Sequence, residues 1–184
     1  MGVGDPLMPS GRTHDAITLL LAAPAFAAAF VVTRNAGSAA VVTTAFVFGG
    51  IMFGPDLDTV SRQYSRWGPF RFLWFPYRSF FKHRSRFSHG LIFGALLRVV
   101  YFMGVATLVL FLAYYLYALG SGGQLSSVLD TAKLWQPLGE TTRRWFGATV
   151  PSAAFVGLWL GAASHTFTDI AGSYIKTGRV SGFL

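Results

Sequence analysis

The chain has 184 residues, of which 53% are hydrophobic and only 12% are charged. A soluble domain carries about 25% charged residues, so this composition argues against a soluble enzyme and against a disordered chain. Fifteen basic and seven acidic residues give a formal charge of +8, which points to anionic lipid headgroups before nucleic acid. The absence of cysteine excludes disulfides, thiolate metal sites and cysteine nucleophiles.

Four apolar segments are long enough to cross a bilayer, which takes about 17–25 helical residues. We predict spans over residues 16–33, 36–54, 90–119 and 148–170. A polar turn at Arg34 and Asn35 makes the first two spans an antiparallel hairpin, and neighbouring helices allow Pro24 inside the first. The predicted fold is an all-α integral membrane four-helix bundle, in a single domain over residues 1–184.

The first apolar segment also resembles a secretory signal. Small residues between Ala23 and Ala27 mimic a cleavage site. The apolar run continues to Val32 without a polar cleavage region, which favours a retained helix.

The connection over residues 59–88 interleaves basic and aromatic residues and contains no acid. This mixture is typical of the headgroup layer, so we predict a basic-aromatic interfacial loop that anchors the chain and sets its topology. Specific phosphate binding by the loop is the alternative, and no nucleic-acid partner is expected. The positive-inside rule places the loop and both termini on the cytoplasmic side.

The opposite connection, residues 120–147, has apolar residues at near-helical spacing from Leu125 to Trp135. We predict a short amphipathic helix on the far interface. Arg98 lies about two turns inside the third span. We expect its side chain to snorkel toward the interface, with a place in the lining of a site as the alternative.

All four histidines and four of the seven acidic residues fall into four short clusters. The clusters are His14-Asp15, Asp56-x-Asp58, the stretch from His83 to His89, and His165-x-x-x-Asp169. In an up-down-up-down bundle, all four lie at span ends on the same side of the membrane. The topology therefore predicts that the clusters converge at the cytoplasmic interface.

The clusters combine ligand types that suit a divalent transition metal. Imidazole nitrogen and carboxylate oxygen fit Zn²⁺ best, with Mn²⁺ or Fe²⁺ as alternatives, and such a set can hold one or two ions. Residues four apart share a helix face, and a Gly-Pro turn can aim the aspartate pair inward. The candidate metal ligands are Asp56, Asp58, His83, His89, His165 and Asp169.

The remaining cluster residues have candidate roles in catalysis or substrate binding. His14 is a ligand or a general base, and Asp15 orients its ring as the second candidate catalytic residue. Arg84 and Arg86 are the candidate substrate-binding residues, because guanidinium groups match phosphate oxygens. The alternative is structural: Asp15 can stabilise its helix start through the helix dipole, and histidines at span ends can be interfacial polar residues.

Several motifs together resemble a known family. They are Met8 to Asp15, Phe53 to Asp58, Ser61-Arg62-Gln63-Tyr64 with Trp67-Gly68-Pro69, and His83 to Gly90. They resemble the uncharacterised bacterial membrane family of metal-binding proteins called domain of unknown function 2227, with residues 1–7 as an upstream extension. The polar pattern is more loosely similar to inner-membrane-associated metal-dependent hydrolases. These resemblances imply metal binding and hydrolysis, without a substrate.

The sequence therefore predicts a metal-dependent hydrolase in a bacterial inner or internal membrane. Its partners are membrane lipids with anionic headgroups and a phosphate-bearing or lipid-like substrate. A non-enzymatic membrane subunit, whose cluster is structural or binds a partner, stays open, as does a metal carrier. Pro9-Ser10-Gly11 and His165-x-x-x-Asp169 also resemble fragments of a phosphohistidine phosphatase signature, although Arg12 stands where that signature has histidine.

Overall fold

The computed structural model of the chain describes residues 11–81, 90, 92–121 and 135–178. All elements in those ranges are helical, which confirms the predicted all-α class. The helices are α1 (Gly11–Thr33), α2 (Ala36–Met52), α3 (Arg62–Arg66), α4 (Phe75–Phe80), α5 (Phe93–Ser121), α6 (Trp135–Phe146) and α7 (Val150–Thr177). Two short 3-10 helices, Pro55–Asp58 and Gly68–Trp74, lie before α3 and α4.

Helices α1 and α2 form the predicted hairpin. Arg34 reverses the chain with a φ of 51°, and the Asn35 side chain caps α2 by accepting a hydrogen bond from the Ser38 backbone N–H at 2.8 Å. Helix α1 continues through Pro24 and begins at Gly11, before the predicted start of the first span. The His14-Asp15 cluster therefore lies within the first turns of a helix.

Helix α7 packs along α2 through glycines. Gly157 and Gly161, about one turn apart, face the backbone carbonyls of Val42 and Phe46, and a Cβ at either glycine would overlap them. This is the close backbone approach that a pair of small residues four apart permits. His165 follows Gly161 by one turn, so the same contact fixes the position of His165 along the axis of α2.

Helix α5 attaches to the other helices mainly through its first turns. Ala95 and Val99 enter an aromatic core that also contains Phe53, Leu57, Tyr64, Trp74, Tyr77 and Ala162. Further along α5, large side chains are exposed, including Leu116 at 67% and Tyr117 at 72%. A closed four-helix bundle is therefore not confirmed: α1, α2 and α7 pack together, and α5 joins them at one end.

The described part of the basic-aromatic loop contributes to the core as well as to the surface. Trp74 and Tyr77 are fully buried, whereas Phe72 and Phe80 are 63% and 84% exposed. Prolines in the first turns of the second 3-10 helix and of α4 break the segment into short helices, which turn some rings inward. The loop therefore contributes two rings to the core, and its place at the membrane interface stays a prediction.

Among the described residues, three helical segments have the length and apolar content needed to cross a membrane. They are α1, α5 up to Gly120, and α2 continued to Asp58. Helix α7, predicted as the fourth span over residues 148–170, is not in this set. Its second half carries several buried polar residues, which lower its hydropathy: His165, Thr166, Thr168 and Asp169.

The connection before α7 contains helix α6, which begins at Trp135, the last residue of the predicted helix. Helix α6 packs against α7 and exposes Glu140, Arg143 and Arg144. The helix predicted to start near Leu125 falls mostly on residues 122–134, which lie outside the described part of the chain.

We predict that Gly161→Ala lowers the free energy of unfolding by about 1–3 kcal/mol, because the added methyl group has no room against the Phe46 carbonyl. Denaturant unfolding of the purified protein in detergent measures this loss. Gly104→Ala on α5 is the matched control, since a Cβ there meets nothing within 4 Å, and it should be neutral or slightly stabilising. Equal losses in both variants would contradict the packing described here.

Candidate metal centre

The first turn of α1 meets α7 at a buried pair of polar side chains. His14 Nε2 lies 3.0 Å from Asp169 Oδ1, and the two side chains are only 4% and 5% exposed. A buried polar group needs a hydrogen-bond partner, and this contact gives one to both residues. The pair therefore joins two helices that are far apart in sequence.

His165 completes a compact group with this pair. Its ring stacks on the His14 ring, with centroids 3.7 Å apart and an interplanar angle of 10°. His165 Nε2 lies 3.7 Å from Asp56 Oδ2 and 4.0 Å from Asp169 Oδ2. This nitrogen is buried and has no hydrogen-bond partner among the described residues. An orphaned ring nitrogen therefore faces two carboxylates.

Gln63 of α3 contacts the opposite edge of the His165 ring. Its Nε2 lies 3.0 Å from His165 Nδ1 and donates a hydrogen bond to the Gly50 carbonyl oxygen at 3.2 Å. A Cβ at Gly54 would overlap the Gln63 amide, so glycine at that position makes room for it. In the sequence, Gln63 stands out only as part of the motif Ser61-Arg62-Gln63-Tyr64. A neutral amide among basic and aromatic residues is the one sequence signal for its contact with His165.

These residues fit a divalent transition metal. His14, His165 and Asp169 each offer a ligand atom, and the three atoms lie within 4.8 Å of one another. Two imidazoles and one carboxylate form a donor set used by zinc sites with three protein ligands. Asp56, whose side chain is 38% exposed, lies at the solvent edge of the group. The orphaned His165 nitrogen and the donor chemistry both match such an ion.

The structure brings together residues from three of the four predicted clusters. His14, Asp56, His165 and Asp169 meet in one place. The remaining candidates in the third cluster lie outside the described residues: His83, Arg84, Arg86 and His89. Asp15 and Asp58 are described, but each of them faces a different polar group.

Asp15 does not orient His14, contrary to our expectation. Both of its carboxylate oxygens accept hydrogen bonds from Arg66, at 2.9 Å for the Nη1–Oδ1 contact, and Arg62 lies 3.5 Å away. Consecutive helical residues point about 100° apart, so His14 faces α7 while Asp15 faces α3. Arg66 also donates to the Ile51 carbonyl oxygen at 3.0 Å, which ties α3 to the end of α2.

Asp58 is not a member of the His14–His165–Asp169 group. It is 6% exposed and, like Asp56, interacts electrostatically with the fully buried Arg98 of α5. Residues two apart on a 3-10 helix point about 120° apart, which explains why Asp58 is buried while the Asp56 side chain is 38% exposed.

The expectation that Arg98 snorkels toward the interface is wrong. Its side chain is fully buried, and it interacts with Tyr77 first and then with the negative charges of Asp58 and Asp56. A buried charge of this kind requires a partner inside the protein. Burial raises the pKa of the neighbouring Tyr77 phenol, while the Arg98 guanidinium opposes that shift. This group joins the start of α5 to α4 and to the first 3-10 helix.

Among known protein families, the model of a family described as uncharacterized metal-binding protein (DUF2227) matches residues 9–179. The chain belongs to this family. No curated protein and no solved structure matches the chain. The family description agrees with the group formed by His14, His165 and Asp169, and it identifies neither the metal nor a reaction.

We predict that Asp15→Asn lowers the free energy of unfolding by about 1–3 kcal/mol, because Arg66 loses its charged hydrogen-bond partner. The variant should keep the wild-type metal content, since Asp15 faces away from the centre. Denaturant unfolding and elemental analysis of the same preparation measure the two properties. An Asp15→Asn protein of wild-type stability that has lost its metal would contradict the assignment.

Proposed function

We propose that the protein is a membrane-embedded, metal-dependent hydrolase that acts on a phosphate-bearing, lipid-like substrate. The supporting observation is a three-ligand group, His14, His165 and Asp169, with the carboxylate of Asp56 at its exposed edge. Catalytic zinc sites have three protein ligands and an open position, whereas structural sites are closed by four. Zn²⁺ is the first choice of ion, with Mn²⁺ or Fe²⁺ as alternatives.

The apolar surfaces of α1 and α5 support a membrane location. Leu20 is 75% exposed, Val32 83% and Leu116 67%, and they belong to helices long enough to span a bilayer. Apolar helix faces of this extent are unusual in water, but they suit lipid. The basic residues of α3 and α4 lie toward the metal-centre end, which supports a cytoplasmic position for the centre in a bacterial inner membrane.

The chemistry combines a bound ion with this chain's own side chains. A divalent ion supplies Lewis acidity and makes water acidic enough to serve as a nucleophile near neutral pH. In this proposal Asp56, a candidate ligand by sequence, accepts the proton from water, because it is the exposed member of the group. Asp169 holds the His14 ring, and Gln63 holds the His165 ring.

The proposed substrate class follows from the surroundings of the centre. Arg62, whose side chain is 52% exposed, adds a positive charge beside Asp15. Guanidinium groups bind phosphate oxygens with matching geometry, and we propose the same role for Arg84 and Arg86. A centre at the end of apolar helices suits a phosphate attached to a lipid.

The alternative is a non-enzymatic membrane subunit in which the metal holds α1 and α7 together. It is favoured by the burial of His14, His165 and Asp169, whose side chains are at most 5% exposed. In that case, metal removal would unfold the protein, and the metal-loaded protein would hydrolyse no phosphate ester.

We predict that protein purified in detergent without chelators contains a divalent transition metal and releases phosphate from a phosphatidate-type lipid. Asp169→Asn should lose the metal. Asp56→Asn should keep it but lower phosphate release by about 100-fold or more, as loss of a proton acceptor does. Elemental analysis and a phosphate-release assay measure these effects, and Glu140→Gln at an exposed site of α6 is the matched control.

Two results would contradict the proposal. Metal-loaded protein that releases no phosphate and unfolds when chelated would support the structural alternative. Protein without bound metal would contradict both functions.

A further inference from the structure

The Gln63 amide has a defined orientation next to His165. The residue is 4% exposed, and its Nε2 contacts both His165 Nδ1 and the Gly50 carbonyl oxygen. A carbonyl oxygen can only accept hydrogen bonds, so the NH₂ end of the amide must face Gly50. The same NH₂ group therefore donates its second hydrogen to His165 Nδ1.

This donation determines which ring nitrogen carries the proton. Because Nδ1 accepts a hydrogen bond, the neutral His165 ring carries its proton on Nε2. That nitrogen faces Asp56 and Asp169, at 3.7 and 4.0 Å. A nitrogen that binds metal must be unprotonated. Metal binding at Nε2 therefore moves the ring proton to Nδ1, which then needs an acceptor.

Gln63 carries such an acceptor. Its Oε1 is buried and has no hydrogen-bond partner among the described residues. A half-turn of the amide exchanges its oxygen and its NH₂ group; it breaks the hydrogen bond to Gly50 and turns Oε1 toward the Gly50 carbonyl oxygen, a cost that metal binding has to offset. Glycine at position 54 lets either end of the amide lie here, since a Cβ would overlap both its nitrogen and its oxygen. One residue can therefore serve both protonation patterns of the ring.

We propose that Gln63 is a positioning residue that selects the proton-bearing nitrogen of His165. It donates to Nδ1 in the metal-free protein and accepts from Nδ1–H when a metal ion binds Nε2. This inference rests on the proposed metal centre but not on hydrolysis. Gln63→Glu offers only acceptors in its ionised form and favours the metal-binding pattern, whereas Gln63→Met offers neither a donor nor a strong acceptor.

Nitrogen-15 NMR of histidine-labelled, metal-free protein in detergent tests the first half of the proposal. The chain has only four histidines, so His165→Asn assigns the signal by its disappearance. We expect the His165 proton on Nε2 in the wild type and on Nδ1 in Gln63→Glu. A wild-type ring with its proton on Nδ1 would overturn the proposal.

Zinc titration of the same proteins tests the second half. We expect Gln63→Met to weaken zinc binding by about 10–100-fold, as loss of a partner behind a metal-binding histidine does. Gln63→Glu should bind zinc at least as tightly as the wild type. Gln136→Met, at an exposed glutamine of α6, is the matched control and should change neither the NMR signal nor the affinity.

The outcomes separate this proposal from the proposed hydrolase. Zinc binding that depends on Gln63 as described, without phosphate release, would support the proposal and reject the hydrolase. A folded Gln63→Met protein with wild-type zinc affinity would overturn the proposal. If that variant does not fold, a Gln63→Glu protein that binds zinc more weakly than the wild type would do so. Wild-type protein that binds no zinc would overturn it together with the metal centre.

Discussion

The contact between His14 and Asp169 is the interaction on which the site depends. It joins the first turn of α1 to α7 at 3.0 Å in a place almost closed to solvent. Leaving either buried group unpaired costs on the order of 1–3 kcal/mol, so the two helix ends stay together. Helix α2 packs against both α1 and α7. Its close contacts with the glycines of α7 fix the position along the helix axis at which the His165 ring stacks on the His14 ring.

In two of the sequence clusters, the two polar residues have different surroundings. One residue lies at the candidate metal centre, and its neighbour interacts with another helix. His14 faces the centre while Asp15 binds Arg66. In the same way, Asp56 lies beside His165, while Asp58 is buried outside that group and interacts with Arg98 of α5. Gln63 precedes Arg66 by about one turn, so the same short helix α3 carries both the amide that contacts His165 and the guanidinium that binds Asp15.

Hydropathy and connectivity predicted α1, α2 and their hairpin, and they predicted that the polar clusters meet. They did not predict which member of a cluster lies beside His14, His165 and Asp169. Spacing along the chain does not fix how a helix is rotated about its axis. Asp15 and Asp58 show this directly. The sequence also did not predict that only the first turns of α5 pack against the other helices. An apolar helix has the same sequence pattern whether it faces lipid or protein. Gln63 was missed because its role depends on the buried surroundings of a single amide.

The most direct test of the central claim is anomalous diffraction at the zinc absorption edge, from crystals of the protein grown with Zn²⁺. We predict one strong peak bounded by His14, His165 and Asp169, with the Asp56 carboxylate beside it. A peak at any other place, or an ordered centre without a peak in zinc-saturated crystals, would contradict the account.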